Sequence, residues 1–359
     1  MQAVIGIIFH FIGGFASGSF YVPYRKVKGW AWETYWLVGG LFSWLIVPPL
    51  AAWLTVPHFA NIIAQSTLST FSWTYFWGLL WGIGGLMYGL GMRYLGMSLG
   101  NSVLLGFTAA FGALAPSIYY NFHPTPGKTT FHDLLTNSWG QVVLAGVVLC
   151  LIGIYICGNA GVLKEKELSE EKKKESITEF NLVKGLIVCV IAGILSACFN
   201  FGIEAGSSMA GSANNIWKAS HPLENGNFLY RNNVIYIVLL WGGLTTNLFW
   251  CLILNFRNKT FKDYANLKVS LTRNYLFCAL AGTTWFLQFF FYGMGESKLG
   301  NGASSWILHM AFIILVANMW GFVLKEWKGV SKRTLMTIII GVITIILSVF
   351  LVGYGNSIK

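Results

Sequence analysis

About ten stretches of this chain run for roughly 20 predominantly apolar residues, the length an α-helix needs to cross a bilayer. They fall near 2–22, 32–55, 73–92, 98–120, 139–158, 184–207, 231–256, 274–296, 301–323 and 334–354. Blocks this frequent leave little chain for a soluble surface. Only 10% of the residues are charged, against about 25% in a soluble domain. The sequence therefore predicts an all-α integral membrane protein. Pro48-Pro49 and Pro116 lie inside two of the blocks, where the missing N–H is expected to break or tilt a helix. No basic residues precede the first block and it is longer than a signal peptide's apolar region, so it reads as the first membrane helix.

Cys150, Cys157, Cys189, Cys198, Cys251 and Cys278 all fall inside the blocks. They read as small packing residues, with no loop cysteine to build a disulfide framework.

The net charge of +11 raises nucleic acid as a partner, and its distribution removes the need for one. Most basic residues sit in the odd-numbered loops or at their helix ends. These are Arg25, Lys26 and Lys28; Arg93; Lys164, Lys166, Lys172, Lys173, Lys174 and Lys184; Arg257, Lys259, Lys262, Lys268 and Arg273; and Lys325, Lys328, Lys332 and Arg333. The other side holds Lys128, Lys218, Arg231 and Lys298, with Lys359 at the tail. Positive charge marks the cytoplasmic side, so both termini are expected on the opposite side of the membrane. The Lys- and Glu-rich segment from Lys164 to Glu179 reads as a solvated linker. Asn258-Lys259-Thr260 matches a glycosylation sequon, but the charge pattern puts it on the cytoplasmic side.

The two halves resemble each other. Gly78, Trp81, Tyr88, Gly89, Gly91, Leu95 and Gly96 recur with identical spacing as Gly282, Trp285, Tyr292, Gly293, Gly295, Leu299 and Gly300. A weaker match relates Gly14, Ser17 and Phe20 to Gly193, Ser196 and Phe199. An odd number of helices per half inverts the second half. The expected organisation is a first five-helix repeat over 1–160, a cytoplasmic linker over 161–183 and a second five-helix repeat over 184–359. Inverted repeats of this kind are typical of secondary transporters, which bind near the midplane and work by alternating access.

The residues then become familiar. His10-Phe11-Ile12-Gly13 leads to Tyr24-Arg25-Lys26-Val27-Lys28 and Trp32-Glu33-Thr34. Trp81-Gly82-Ile83-Gly84 leads to Met92-Arg93-Tyr94-Leu95-Gly96-Met97-Ser98. Gln288-Phe289-Phe290-Phe291-Tyr292, Ser305-Trp306, Leu308-His309-Met310 and Leu324-Lys325-Glu326-Trp327 follow. Nearly end to end, the chain resembles the bacterial L-rhamnose–proton symporter family of the drug/metabolite transporter superfamily. The resemblance implies ten helices in the inner membrane and proton-driven uptake of a 6-deoxyhexose, with the proton as coupling ion and no cofactor or metal.

A neutral sugar offers C–H faces to aromatic rings, and hydroxyls to amides, imidazoles and carboxyls. Trp285, Gln288 and Tyr292 share a helix face; Ser305, Trp306 and His309 cluster; Trp81 pairs with Tyr88; His10, Ser17 and Tyr21 lie together; and Asn200 lies beside Glu204. Expected sugar contacts are Trp81, Tyr88, Trp285, Gln288, Tyr292, Trp306, His309 and Asn200. For each aromatic the plainer reading is helix packing. Coupling needs a group that changes charge inside the membrane. His309, expected about nine residues or roughly 13 Å below the outer surface, comes first and His10 second. Glu33, Glu204 and Glu296 are the acidic candidates. The plainer reading of Glu33 is a salt bridge to Arg25, Lys26 or Lys28, or a helix N-terminal charge. That of Glu204 and Glu296 is a solvated helix end.

One proton crossing ~100 mV delivers about 2.3 kcal/mol, enough for a sugar gradient on the order of 50-fold. No G-x-x-x-x-G-K-[ST] sequence is present for an ATP-driven pump. Two other classes remain: a drug/metabolite-type carrier for another solute, and a membrane-embedded enzyme or sensor. The absence of H-E-x-x-H, G-x-S-x-G and C-x-x-C weighs against the enzyme.

Overall fold

A computed structural model of the chain describes residues 2–124, 129–168, 180–299 and 302–358. Lys128, Lys172, Lys173, Lys174, Glu179, Gly300 and Lys359 lie outside the described residues. Among those described there is no β-strand. α1 (Gln2–Ser19) is followed by a single turn, α2 (Tyr21–Tyr24). Next come α3 (Trp32–Gly40), a wide π-helical turn (Leu41–Ile46) and α4 (Val47–Thr55). α5 (Phe59–Ala64) is short, α6 (Leu68–Phe122) very long, and α7 (Phe131–Thr136) short again. The chain continues through α8 (Ser138–Glu167), α9 (Leu182–Ala205), α10 (Ser207–Ser220) and α11 (Asn233–Asn258). It ends with α12 (Leu271–Leu299), α13 (Gly302–Val323) and α14 (Lys332–Ser357).

Among the described residues, nine helices are long and apolar enough to cross a membrane: Val4–Tyr24, Trp32–Thr55, Leu99–Phe122, Ser138–Lys164, Leu182–Ala205, Asn233–Asn258, Leu271–Leu299, Ser305–Val323 and Lys332–Gly355. This is a multi-pass membrane protein. The expected third block belongs to α6, which breaks at Gly96 (φ 79°, ψ 177°). That conformation is open essentially to glycine alone, and Gly96 closes the first copy of the repeated pattern.

The two proline sites behave differently. α6 continues through Pro116. Pro48 and Pro49 lie in the first turn of α4, so the Trp44 and Leu45 carbonyls lose their usual donors four residues on. The turn before them widens, and the Val47 N–H reaches back to the Phe42 carbonyl. Most of α10 lies in the segment 208–230. Its Met209, Ala210 and Ala213 are buried, so a face of small and apolar residues orders it.

The chain forms two compact units. Met1–Gly85 with Cys198–Gly300 make one, and Leu86–Ala197 with Asn301–Lys359 the other. Each takes segments from both sequence halves. In the first, α12 packs along α1 and also meets α3, the π turn and α11. Two repeat-related glycines set the closest approaches. A Cβ on Gly78 would strike the Leu239 carbonyl of α11, and one on Gly282 the Gly39 carbonyl of α3. Lipid supplies no hydrophobic drive between helices, so backbone proximity at small residues does much of the holding.

In the second unit α8 and α14 lie along each other, with Gly146 against Val352 and Gly153 against Ile345. Ala110, Val143, Val147, Ile307, Ala311 and Val352 form a core beside them. All six cysteines are buried and free. α8 extends past the expected end of its block, and Lys164 is only 1% exposed, not solvated. Its ammonium lies 4.8 Å from the Trp327 ring centroid and 5.7 Å from that of Phe180, with the buried Glu326 carboxylate acting on it. Cation–π contact and an opposite charge offset the loss of water. The segment 169–179 lies outside the described residues.

Candidate functional site

The first unit gathers most of the candidates. Trp81 and Trp285, equivalent in the repeat, lie against each other with ring centroids 5.5 Å apart and planes inclined by 40°. Phe199 stacks on Phe289 at 3.9 Å, and both rings touch Trp81. Trp44, carried by the π turn, stands perpendicular to both tryptophans, at 6.4 Å and 5.9 Å. Such a wall of ring faces suits the C–H face of a sugar.

Polar groups adjoin it. The Ser17 hydroxyl of α1 donates to Gln288 Oε1 of α12 at 2.7 Å. Gln288 Nε2 donates to the Trp285 carbonyl at 2.9 Å. The Gln288 amide is thereby fixed in orientation one turn from the Trp285 ring. Asn200 is half-buried on α9, next to Phe199.

One turn further along α12, Tyr292 meets His10 of α1 with ring centroids 5.5 Å apart. Both are buried, and Gly295 makes room for the imidazole, since a Cβ there would come within 2.6 Å of Nε2. Glu296 follows. Its carboxylate accepts from Asn232 Nδ2 at 2.5 Å and lies 3.6 Å from Arg231 Nη2. A solvated helix end does not describe it, because an ion pair and a short charge-assisted hydrogen bond hold it. Glu204 is exposed on α9, as a solvated residue would be.

Glu33 sits in the first turn of α3 and is buried. Its partners are the Asn258 amide and the Thr260 hydroxyl, each at 2.9 Å. The last residue of α11 and the loop after it thus take the role expected of Arg25, Lys26 and Lys28. The sequon residues Asn258 and Thr260 have a structural use, with Lys259 between them in the left-handed region at φ 57°.

Tyr88, Trp306 and His309 belong to the second unit. The Tyr88 hydroxyl donates to Asn101 Oδ1 at 3.0 Å. Trp306 Nε1 donates to the Thr108 carbonyl at 3.3 Å, and its ring occupies the space left by Gly112. His309 is fully buried one turn along α13. Further along the same helix, Asn318 Nδ2 donates to Ser102 Oγ at 2.9 Å.

Sequence reasoning missed Trp44, Arg231 and Asn232. Pro48-Pro49 marked where the helix must deform, but nothing in the sequence singled out Trp44 there. Arg231 and Asn232 carried no signal, because only the folded chain brings them to Glu296.

Comparison with known proteins gives a consistent answer. The family described as L-rhamnose-proton symport protein (RhaT) matches residues 1–358. A relative named L-rhamnose-proton symporter from Yersinia pestis (strain Pestoides F) is 38% identical over 361 residues, covering 99% of this chain and 98% of the relative. One of the same name from Yersinia pseudotuberculosis serotype O:3 (strain YPIII) matches at the same identity and coverage.

Proposed function

The chain belongs to the L-rhamnose-proton symport protein family, and from that membership we propose that it imports L-rhamnose with protons across the bacterial inner membrane by alternating access. The solute is a 6-deoxyhexose, the coupling ion a proton and the surroundings membrane lipid; no cofactor, metal or nucleic acid takes part.

The observation that carries the sugar reading is the contact between Trp81 and Trp285, beside a Gln288 amide already oriented by Ser17. Trp81, Trp285, Gln288, Tyr292 and Asn200 are the sugar contacts of the first unit. Tyr88, Trp306 and His309 remain candidates in the second. Among the titratable groups, Glu296 carries the coupled proton, with His10 adjoining through Tyr292. His309 is a separate candidate. Glu204 and Glu33 rank lower, because one is exposed and the other is occupied in joining α3 to the loop after α11.

A tenth span over 68–95 and an inverted arrangement of the 1–160 and 184–359 repeats, joined by a cytoplasmic linker, complete the reading. The first part of α6 is helical along its length and rich in Trp, Tyr and Gly, which a hydropathy average undervalues at a membrane interface. The inverted arrangement is supported by reciprocal packing. Gly78 meets the Leu239–Gly242 stretch of α11, and Gly282 meets Gly39 of α3. Gly39-Gly40-Leu41 and Gly242-Gly243-Leu244 are the same tripeptide. The basic odd loops favour a periplasmic position for both termini.

The test is labelled L-rhamnose uptake by a bacterium without rhamnose uptake of its own, expressing this chain. Uptake competed by unlabelled L-rhamnose, and not by amino acids or lipophilic cations, is the expected result. Competition by an unrelated metabolite instead would support a carrier for that solute.

A further inference from the structure

We infer that Trp44 is a substrate-binding residue, whose indole N–H donates a hydrogen bond to a ring hydroxyl of the sugar. The inference rests on the sugar-transport reading and adds a specificity-determining group to the same site.

Three observations converge on this side chain. The first is its hydrogen bonding. Trp44 is 4% exposed, and its Nε1 has no hydrogen-bond partner among the described residues. A buried donor ordinarily finds a partner, because its loss of water is otherwise uncompensated. Neighbouring Trp36 follows the rule, donating to Asn247 Oδ1 at 2.9 Å. The second is its backbone. Trp44 sits inside the π-helical turn, a rare irregularity that recurs at functional positions. Pro48 and Pro49 remove the donors that would close an ordinary turn there. The third is its setting. Trp44 stands perpendicular to Trp81 at 84° and to Trp285 at 88°. A pyranose stacked on a ring face projects its equatorial hydroxyls sideways from the stack. A perpendicular indole beside that stack is placed to meet one of them.

Trp30 and Trp241 also have buried indole N–H groups without partners among the described residues. Neither has a ring contact with Trp81 or Trp285 among those described. They serve as controls, since an unpartnered indole alone does not predict sugar binding.

The experiment uses the full-length protein in proteoliposomes. Trp44→Phe keeps an aromatic ring and removes the N–H; Trp241→Phe makes the same change away from the cluster. Half-saturating concentrations are measured for L-rhamnose and for analogues each lacking one hydroxyl. For Trp44→Phe we expect a rise of about tenfold with L-rhamnose, the scale of one hydrogen bond. The rise should disappear for one analogue, the one whose missing hydroxyl was the partner. Trp241→Phe should behave as wild type. A Trp44→Phe penalty equal for every analogue, or no penalty, overturns the inference while wild-type rhamnose transport stands. Absence of wild-type rhamnose transport overturns the parent reading and this inference with it. If Trp44→Phe does not insert, Trp44→His carries the same test, because its smaller ring displaces the N–H and the penalty must again be specific to one hydroxyl.

Discussion

The Ser17 hydroxyl donates to Gln288 Oε1 across 2.7 Å, joining α1 to α12 by a side-chain hydrogen bond buried in the apolar interior of the first unit. Gln288 in turn donates to the Trp285 carbonyl, so a residue on one helix sets the orientation of an amide on another. Ser17→Ala leaves a buried oxygen without its donor, at a cost of about 1–3 kcal/mol. We expect half-saturation for L-rhamnose to rise by roughly 3–10-fold, with the maximal rate changed less. An unchanged concentration dependence would show that Gln288 keeps its pose unaided.

Trp81 and Trp285 touch, so their contributions should not add. Trp81→Ala and Trp285→Ala are each expected to cut uptake at low sugar concentration by more than about tenfold. The double variant should lose less than the sum of the two free energies, with a coupling of about 0.5–3 kcal/mol. Strict additivity in the double-mutant cycle would mean that the two rings act on separate events.

Glu296 lies between Arg231 and Asn232, with Tyr292 and Tyr236 buried beside it and Glu204 acting on it from α9. As the proton carrier, it should separate two activities. Glu296→Gln is expected to retain exchange of labelled for unlabelled L-rhamnose within about threefold, while losing pH-driven accumulation by more than about tenfold, the scale of ~1.4 kcal/mol or more. Parallel assays in one batch of proteoliposomes decide it. Equal loss of both activities would assign Glu296 to structure or sugar binding, and the coupling role would pass to His10 or His309.

Glu167 offers a pH test outside the spanning segments. Its carboxylate accepts from the Thr334 hydroxyl, the Ser331 N–H and the Ser331 hydroxyl. These bonds, Thr334 foremost, hold its pKa below the ordinary carboxylate value. A lowered pKa in the folded state stabilises above the unfolded value of about 4.3, and that stability is lost as pH falls through the folded value. The melting temperature should therefore be flat in Glu167 between neutral pH and about 5. Below that it should fall more steeply in the wild type than in Glu167→Gln. Melting curves in detergent across this range check it, and identical acid limbs would contradict it.

Much of the fold was legible because lipid imposes one demand, about 20 apolar residues per span, and nearly every block became a helix within a few residues of its expected ends. The gap between the expected blocks at 73–92 and 98–120 is met by the break at Gly96. The remainder depended on tertiary partners that spacing does not encode. Lys164 reads as a linker lysine until Trp327, Phe180 and Glu326 surround it. α10 is ordered by packing against α11 and α5. In the candidate site, Trp81, Trp285, Gln288 and Tyr292 could be picked out, since repeat and helical phase mark them. Trp44 could not, because ordinary helical phase fails at the π turn that positions it. Arg231 was counted only as a charge on the outer side, and its use beside Glu296 depends on how α11 meets α12.

The decisive measurement is uptake of radiolabelled L-rhamnose into proteoliposomes with an imposed pH gradient, inside alkaline, with and without a protonophore. The proposed function predicts accumulation above the external concentration that collapses to equilibrium when the protonophore is added. Equilibration without accumulation, or no L-rhamnose uptake by protein shown to be folded and inserted, would contradict proton-coupled rhamnose import.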